Sequence, residues 1–274
     1  MWMVLGERLS EGHLLYVDVI DDTGALSAGV FTGLHLLFGR SEIAYFLLGK
    51  IFVLFQIYYW NSTLIKYRVF DENTYFPAIV MAALFHFSFD LMYLSPTLLG
   101  STFLLLAFGQ LFSHTVLQKE SSESTLLIGI YGGLATGFHW NFVFFLPFLI
   151  FTGLAISGFT IRQLFLSIMG FLLPILLILV FYFWKDGLEQ ALQVWPIVFT
   201  YPNYAYQPYL SWLAPGVFPL VLALAGYFIG SFFRGATINQ QKQRQLILIW
   251  LLFSVGVFLL VQHTAIYHLV VSVP

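Results

Sequence analysis

Few ionisable side chains interrupt the apolar sequence, and their spacing limits the chemistry open to this chain. His86 and Asp90 lie four apart in the apolar stretch Tyr75–Tyr93, so on one helix both would project from the same face. A carboxylate at mid-membrane costs on the order of 2.5–3.5 kcal/mol and must face protein and a partner. Such a pair suits a proton path or a metal ion; a structural hydrogen-bonded pair near the helix end, beside Tyr93 and Ser95, is the plainer alternative. His263 and His268 are five apart, poorly phased for joint ligation of a metal. The other candidates open the chain, where Glu7, Glu11, Asp18, Asp21 and Asp22 stand against a single basic residue, Arg8. Carboxylates can take a proton from an attacking hydroxyl; they also solvate loops and cap helices, here one starting near Gly24. Zinc-protease, Walker, nucleophile-elbow and dinucleotide fingerprints are all missing.

The elements that must position these residues are membrane helices. Hydrophobic residues make up 59% of the 274 and charged residues 9%, too few charges to coat a soluble globule. A mean hydropathy of +0.87 agrees. Zero cysteines exclude a disulfide framework, a zinc ribbon and thiolate chemistry. A net charge of −2 offers no polybasic face for nucleic acid. A bilayer core about 30 Å thick needs roughly 20 helical residues. That length predicts crossings at 24–39, 43–61, 75–93, 97–117, 162–183, 214–233 and 246–270. The stretch 125–158 is too long for one crossing and short for two. Gly129, Gly132, Gly133 and Gly137 loosen its first half and His139-Trp140-Asn141 interrupts it, which predicts a broken or re-entrant element.

The expectation is therefore an all-α polytopic membrane protein, about seven transmembrane helices plus one broken element, forming a single membrane domain over 1–274. Within it, 1–23 reads as an external acidic loop, 24–183 as a transmembrane core and 214–274 as a C-terminal helix pair. Residues 184–213 hold Trp184, Trp195, Trp212, four tyrosines and three prolines, the composition of an aromatic interfacial loop. Residues 234–245 carry Arg234, Lys242 and Arg244 without an acid and read as a cytoplasmic loop. If 125–158 crosses once, Arg40, Arg162, Arg234, Lys242 and Arg244 lie inside, against Arg8, Lys66, Arg68, Lys119 and Lys185 outside. Five against five leaves the positive-inside rule undecided. An outward acidic stretch with no apolar leader is expected either to follow an upstream helix or to be translocated as a short tail.

Three stretches together resemble the GT-C superfamily, multi-spanning glycosyltransferases that use polyprenyl-phosphate-linked sugars. The first is Gly12-x-x-x-Tyr16-x-Asp18-x-x-Asp21, then Leu26 and Phe38-Gly39-Arg40-Ser41-Glu42. The second is Gly129-x-x-x-Gly133-Leu134-Ala135, with Pro147 twelve residues beyond Ala135. The third is Gly170-Phe-Leu-Leu-Pro174, then Tyr182-Phe183 and Gly187. The match spans about 180 residues and also fits an uncharacterised bacterial membrane family beside that superfamily. Departures are local: Gly24-Ala25-Leu26 replaces a Pro-Pro-Leu, His139 replaces a lysine, and an arginine aligns with Phe46, one turn before Lys50. Many members also carry their catalytic acid upstream of anything in this chain.

The resemblance implies a GT-C-like fold in a bacterial cytoplasmic (inner) membrane and transfer of a sugar to an acceptor at its outer face. Asp18, Asp21 and Glu7 would then be the catalytic carboxylates, Asp18 first. His139, Lys50, Lys185 and Tyr204 would bind the substrate, with donor phosphate stabilised by cations. The partners implied are the lipid-linked sugar and membrane lipids, and a divalent metal is compatible with such a site. The rival class is a non-catalytic scaffold or complex subunit. A transporter ranks third, because one broken segment and no internal repeat are found where paired inverted repeats would show two.

Overall fold

The computed structural model describes residues 2–21, 23–70, 72–86, 89–117, 122–194 and 237–260. Among these the protein is all-α, with isolated bridges at Leu15–Val19 and Thr23–His139 in place of strands. In chain order the elements are α1 (Trp2–Ser10), α2 (Ala25–Phe38), α3 (Glu42–Lys66), α4 (Phe76–Phe85), α5 (Phe89–Met92), α6 (Pro96–Leu117) and α7 (Ser122–Phe138). A 3₁₀ turn (Trp140–Phe144), α8 (Phe145–Thr152) and a π-helical segment (Gly153–Ser157) follow. Then come α9 (Ile161–Trp184), α10 (Leu188–Val194) and α11 (Ile238–Leu260).

Among the described residues, four helical stretches are long and apolar enough to cross a membrane: Glu42–Lys66, Pro96–Val116, Trp140–Ser157 and Ile161–Trp184. Their surfaces suit lipid. On α3 the exposed side chains Ile43, Leu47, Ile51, Leu54 and Tyr58 repeat every three or four residues, one stripe of a helix. Polar groups turn inward instead. The buried Gln56 amide donates to Leu98 O (3.1 Å), Ser101 Oγ (3.1 Å) and Thr102 Oγ1 (2.8 Å), so its N–H groups are satisfied on α6.

Side-chain contacts fix the direction of each run. α3 and α6 are parallel, since Gln56 meets the start of α6 while Trp60 stacks on Phe108 and meets Phe112 edge-on near its end. α7 is antiparallel to α6, because Gly100 lies against Ala135 and Phe142 and Phe103 stacks on Phe138 at 5.1 Å. The segment after His139 returns to the far end of α6, where Ser157 and Thr115 hydroxyls meet at 2.8 Å. α9 starts there too, with the Gln163 amide on His114 Nε2 at 3.1 Å, and runs beside α7 in the same direction.

Several sequence expectations are corrected. The cluster Gly129, Gly133 and Gly137 does not loosen α7; it admits α9. A Cβ on Gly129 would run into Ser167 O, and one on Gly133 into Phe171 O. Small residues at four-residue spacing allow that close approach between helices. The break falls at His139, as the His-Trp-Asn interruption implied, and the element makes an outward and a return run instead of one crossing. Residues 24–39 do not cross. Their 14-residue helix is about 21 Å long, short of the 30 Å core. Its start is tied to the end of α7 and its finish leads into the start of α3, both at one end of the bundle. Helix α2 is therefore a cap.

The stretch 75–93 is also not one helix. α4 ends with His86 as its C-cap, and His86 Nδ1 donates to Ala82 O at 2.7 Å, competing for a helix carbonyl. His86 thus caps α4 while Asp90 belongs to the separate helix α5. Residues 1–23 are not all loop, because α1 packs Gly6 against Phe31 and stacks Trp2 on Phe31 at 6.3 Å. α10 likewise replaces the start of the loop 184–213. α11 begins at Ile238, eight residues before the expected 246 and inside the expected loop 234–245, because Thr237 caps it with Gln240. The span 214–233, Asp22, Lys119, Tyr204, His263 and His268 lie outside the described residues.

Candidate functional site

The acidic stretch is fastened to the break in the α7–α8 segment, and that seam is the candidate site. After α1, Tyr16 takes a left-handed backbone conformation (φ 68°) and its N–H donates to Val19 O at 2.7 Å, closing a tight turn. The turn directs the buried Tyr16 ring inward, 5.6 Å from Tyr182 and 6.2 Å from Trp140. Its hydroxyl donates to Thr23 O and accepts from Trp140 Nε1 in two short hydrogen bonds. Next along the chain, Thr23 bridges to His139 and Gly24 N–H donates to Phe138 O at 3.0 Å. Ser27 Oγ donates to the same carbonyl at 2.8 Å. These donors satisfy a carbonyl that a continuing helix would have used, which accounts for the stop at Phe138. No side chain fits at Gly24, whose Cβ would overlap the Gly137 carbonyl.

Two candidates 118 positions apart meet at this seam. His139 is 3% exposed, with its Nε2 accepting from the Asn141 amide at 3.2 Å. The Asp21 carboxylate acts electrostatically on that ring. Asp21 Oδ1 also accepts the Thr23 N–H at 3.3 Å, which holds the carboxylate at the seam. Beside it lies an apolar groove of about 500 Å³, between the loop and α2 on one side and α7 and α9 on the other. Leu26, Leu134, Pro174, Leu177, Ile178 and Phe181 line it, with His13 and Leu14 among its margins. A volume in that range accommodates a small ligand or a length of lipid chain.

The remaining candidates are dispersed. Asp18 stands in the turn beside Leu14 and His13, both at the margin of the groove. Its side chain is 46% exposed, and Oδ2 accepts the Leu14 N–H at 2.7 Å and stands 4.0 Å from His13 Nδ1. The turn buries Leu15 and Tyr16 together and leaves Asp18 exposed. Glu7 is paired with Arg40, whose Nε donates at 2.8 Å. Lys185 is exposed just beyond α9, near the loop, since Gly187 packs on Val17. Lys50 sits apart on α3 against His86 and Met92. Among the described residues, no three His, Asp or Glu side chains are grouped to hold a metal ion.

Sequence reasoning listed Tyr16 and Tyr182 only as parts of motifs and gave neither a role. Trp140 was noted merely as an interruption. The common signal was available: each lies in or beside one of the three motif stretches singled out from sequence, and the fold brings these three aromatic residues together. No family model, curated protein or solved structure matches the chain.

Proposed function

We propose that the chain is a GT-C-like membrane glycosyltransferase, with Asp21 as the carboxylate that receives the acceptor's proton. The observation that carries this reading is the seam: a carboxylate within electrostatic range of a buried histidine, beside an apolar groove fit for part of a polyprenyl chain. A lipid-linked donor needs that adjacency, since its chain stays among apolar side chains while its phosphate and sugar stay at the polar margin. His139 would orient the carboxylate, and Lys185 is the nearby cation for the departing phosphate.

The same reading gives the protein a direction. Lys66, Arg68, Arg162, Lys242 and Arg244 belong to the end of the bundle where α3 finishes and α9 and α11 start, with Glu72 and Glu123. Arg8, Arg40 and Lys185 belong to the other end, with Glu7, Glu11, Asp18, Asp21, Glu42, Asp186 and Glu189. The positive-inside rule puts the basic end in the cytoplasm and the seam at the outer face of a cytoplasmic membrane.

The test is sugar transfer from a polyprenyl-phosphate sugar by the full chain in lipid vesicles. Asp21→Asn should lower the rate by about 10²-fold or more, while Asp18→Asn should leave it within about threefold, as expected for an exposed turn residue. Equal activity of Asp21→Asn and the parent chain would end the catalytic assignment. A second reading, a scaffold that keeps the fold without chemistry, is favoured by one observation: Asp18 and Glu7 are both engaged in holding local structure. Absence of transfer with every donor tried, in a chain that folds, would decide for it.

A further inference from the structure

Away from the seam, Lys50 presents a cation on a surface that otherwise suits lipid. It lies eight residues into α3, about 12 Å along the helix, between the exposed side chains Leu47 and Ile51. Side chains lean toward the start of their helix. Accordingly the ammonium stands over the Phe46 ring, 5.4 Å from its centre, one turn nearer the polar end. It donates to Met92 Sδ at 2.7 Å and to His86 Nε2 at 3.3 Å. His86 Nδ1–H is committed to Ala82 O, so this imidazole accepts from the lysine and brings no negative charge. Two of three ammonium protons therefore go to neutral, weak or soft acceptors, and the third remains for another group.

The surroundings define what that group can be. His86 is exposed at the α4–α5 interruption, and α4 exposes Ile79 and Val80. Among the described side chains no carboxylate pairs with Lys50. A charge at an apolar surface needs a counter-charge, and beside lipid-facing helices the abundant anion is the phosphate of a lipid headgroup. We infer that Lys50 and His86 form a binding site for the phosphate of a membrane lipid, with the lipid's chains lying along the Leu47–Ile51–Leu54 stripe of α3. This site stands independently of the transferase reading, because neither residue belongs to the seam.

The full chain in a neutral detergent can be titrated with phosphatidylglycerol, phosphatidylcholine and a polyprenyl phosphate, counting bound lipid by native mass spectrometry. Phosphatidylglycerol should bind the parent chain about fivefold more tightly than it binds Lys50→Met, the value of one basic residue near an anionic headgroup. Lys50→Arg should restore most of that difference. Preference for phosphatidylglycerol over polyprenyl phosphate assigns the site to a bilayer lipid, and the reverse assigns it to a lipid carrier; both support a lipid phosphate. Asp90→Asn tests the internal alternative, a carboxylate partner on α5. Identical lipid affinities for the parent chain, Lys50→Met and Asp90→Asn would overturn the proposal, as would equal loss of thermal stability in both variants without any lipid dependence.

Discussion

The two ends of the bundle are built from similar parts and use them differently. At the basic end, long polar side chains reach to backbone: Gln243 donates to Tyr67 O at 3.1 Å, and Gln240 to Arg68 O at 3.3 Å, so that α11 docks on the finish of α3. The contacts join two helix termini, with Lys66 and Arg68 exposed around them and Arg244 buried. At the acidic end, by contrast, a loop is drawn into the structure. Tyr16 links Thr23 to Trp140, and Ser27 and Gly24 bind the Phe138 carbonyl, with an apolar groove alongside. Polar groups at the first end finish helices; at the second they build a lined space. That contrast locates a site more firmly than charge does, since both ends hold charged residues.

Topology offers the largest test of the comparison. Cysteine is absent, so each introduced cysteine is unique. Asp18→Cys and Lys185→Cys should react with an impermeant maleimide from one side of sealed vesicles, and Lys66→Cys and Lys242→Cys from the other. Labelling of Asp18→Cys and Lys66→Cys from the same side would dissolve the two-ended arrangement. Next in size is Gly24→Ala, which forces a methyl group onto the Gly137 and Phe138 backbone. A loss of about 1–3 kcal/mol is expected in detergent unfolding, and a neutral result would mean that the seam can open.

Smaller effects sharpen the contrast between the ends. Tyr16→Phe removes an acceptor used by Trp140 and a donor to Thr23, at a cost of about 1–3 kcal/mol. Gln243→Leu, its counterpart at the basic end, removes one bond and should cost about 1 kcal/mol. Unfolding midpoints in one detergent compare them directly; equal losses would make the two ends energetically alike. Least of all is Glu7→Gln. The Arg40 side chain it pairs with is 65% exposed, so the change should stay below about 1 kcal/mol and shrink with added salt.

Legibility from sequence followed length and interruption. α6 and α9 were readable because about 20 apolar residues in a row can do little else, and the stop at His139 was readable from the polar triplet there. The capping role of α2 was not, because whether 14 apolar residues cross or cap depends on what holds their ends. The hold on its start comes from the Phe138 carbonyl, more than a hundred positions away. The glycines of α7 were misread for a related reason: flexibility and close packing have the same composition, and only the partner helix distinguishes them. In the candidate site, Asp21 and His139 were both named from sequence, but their meeting was not foreseen. Asp18 was ranked above Asp21, and no spacing rule reports that Asp21, through Thr23, is the carboxylate tied to the strand-like pairing with His139.

The stitch between residues 23–27 and 138–139 also sets an order of assembly. Its two sides are separated by more than a hundred residues, so the acidic stretch emerges from the ribosome long before its anchor exists. At roughly 10 residues per second, the interval is on the order of ten seconds. For that time α1 and α2 can pair with each other, through Gly6 and Phe31, but have no α7 to close against. The groove comes into being only when α7 and α9 have been inserted and zipped together along their glycines. Lining and mouth are thus completed only once α9 is in place, which keeps an apolar cleft from standing open through the first two thirds of synthesis.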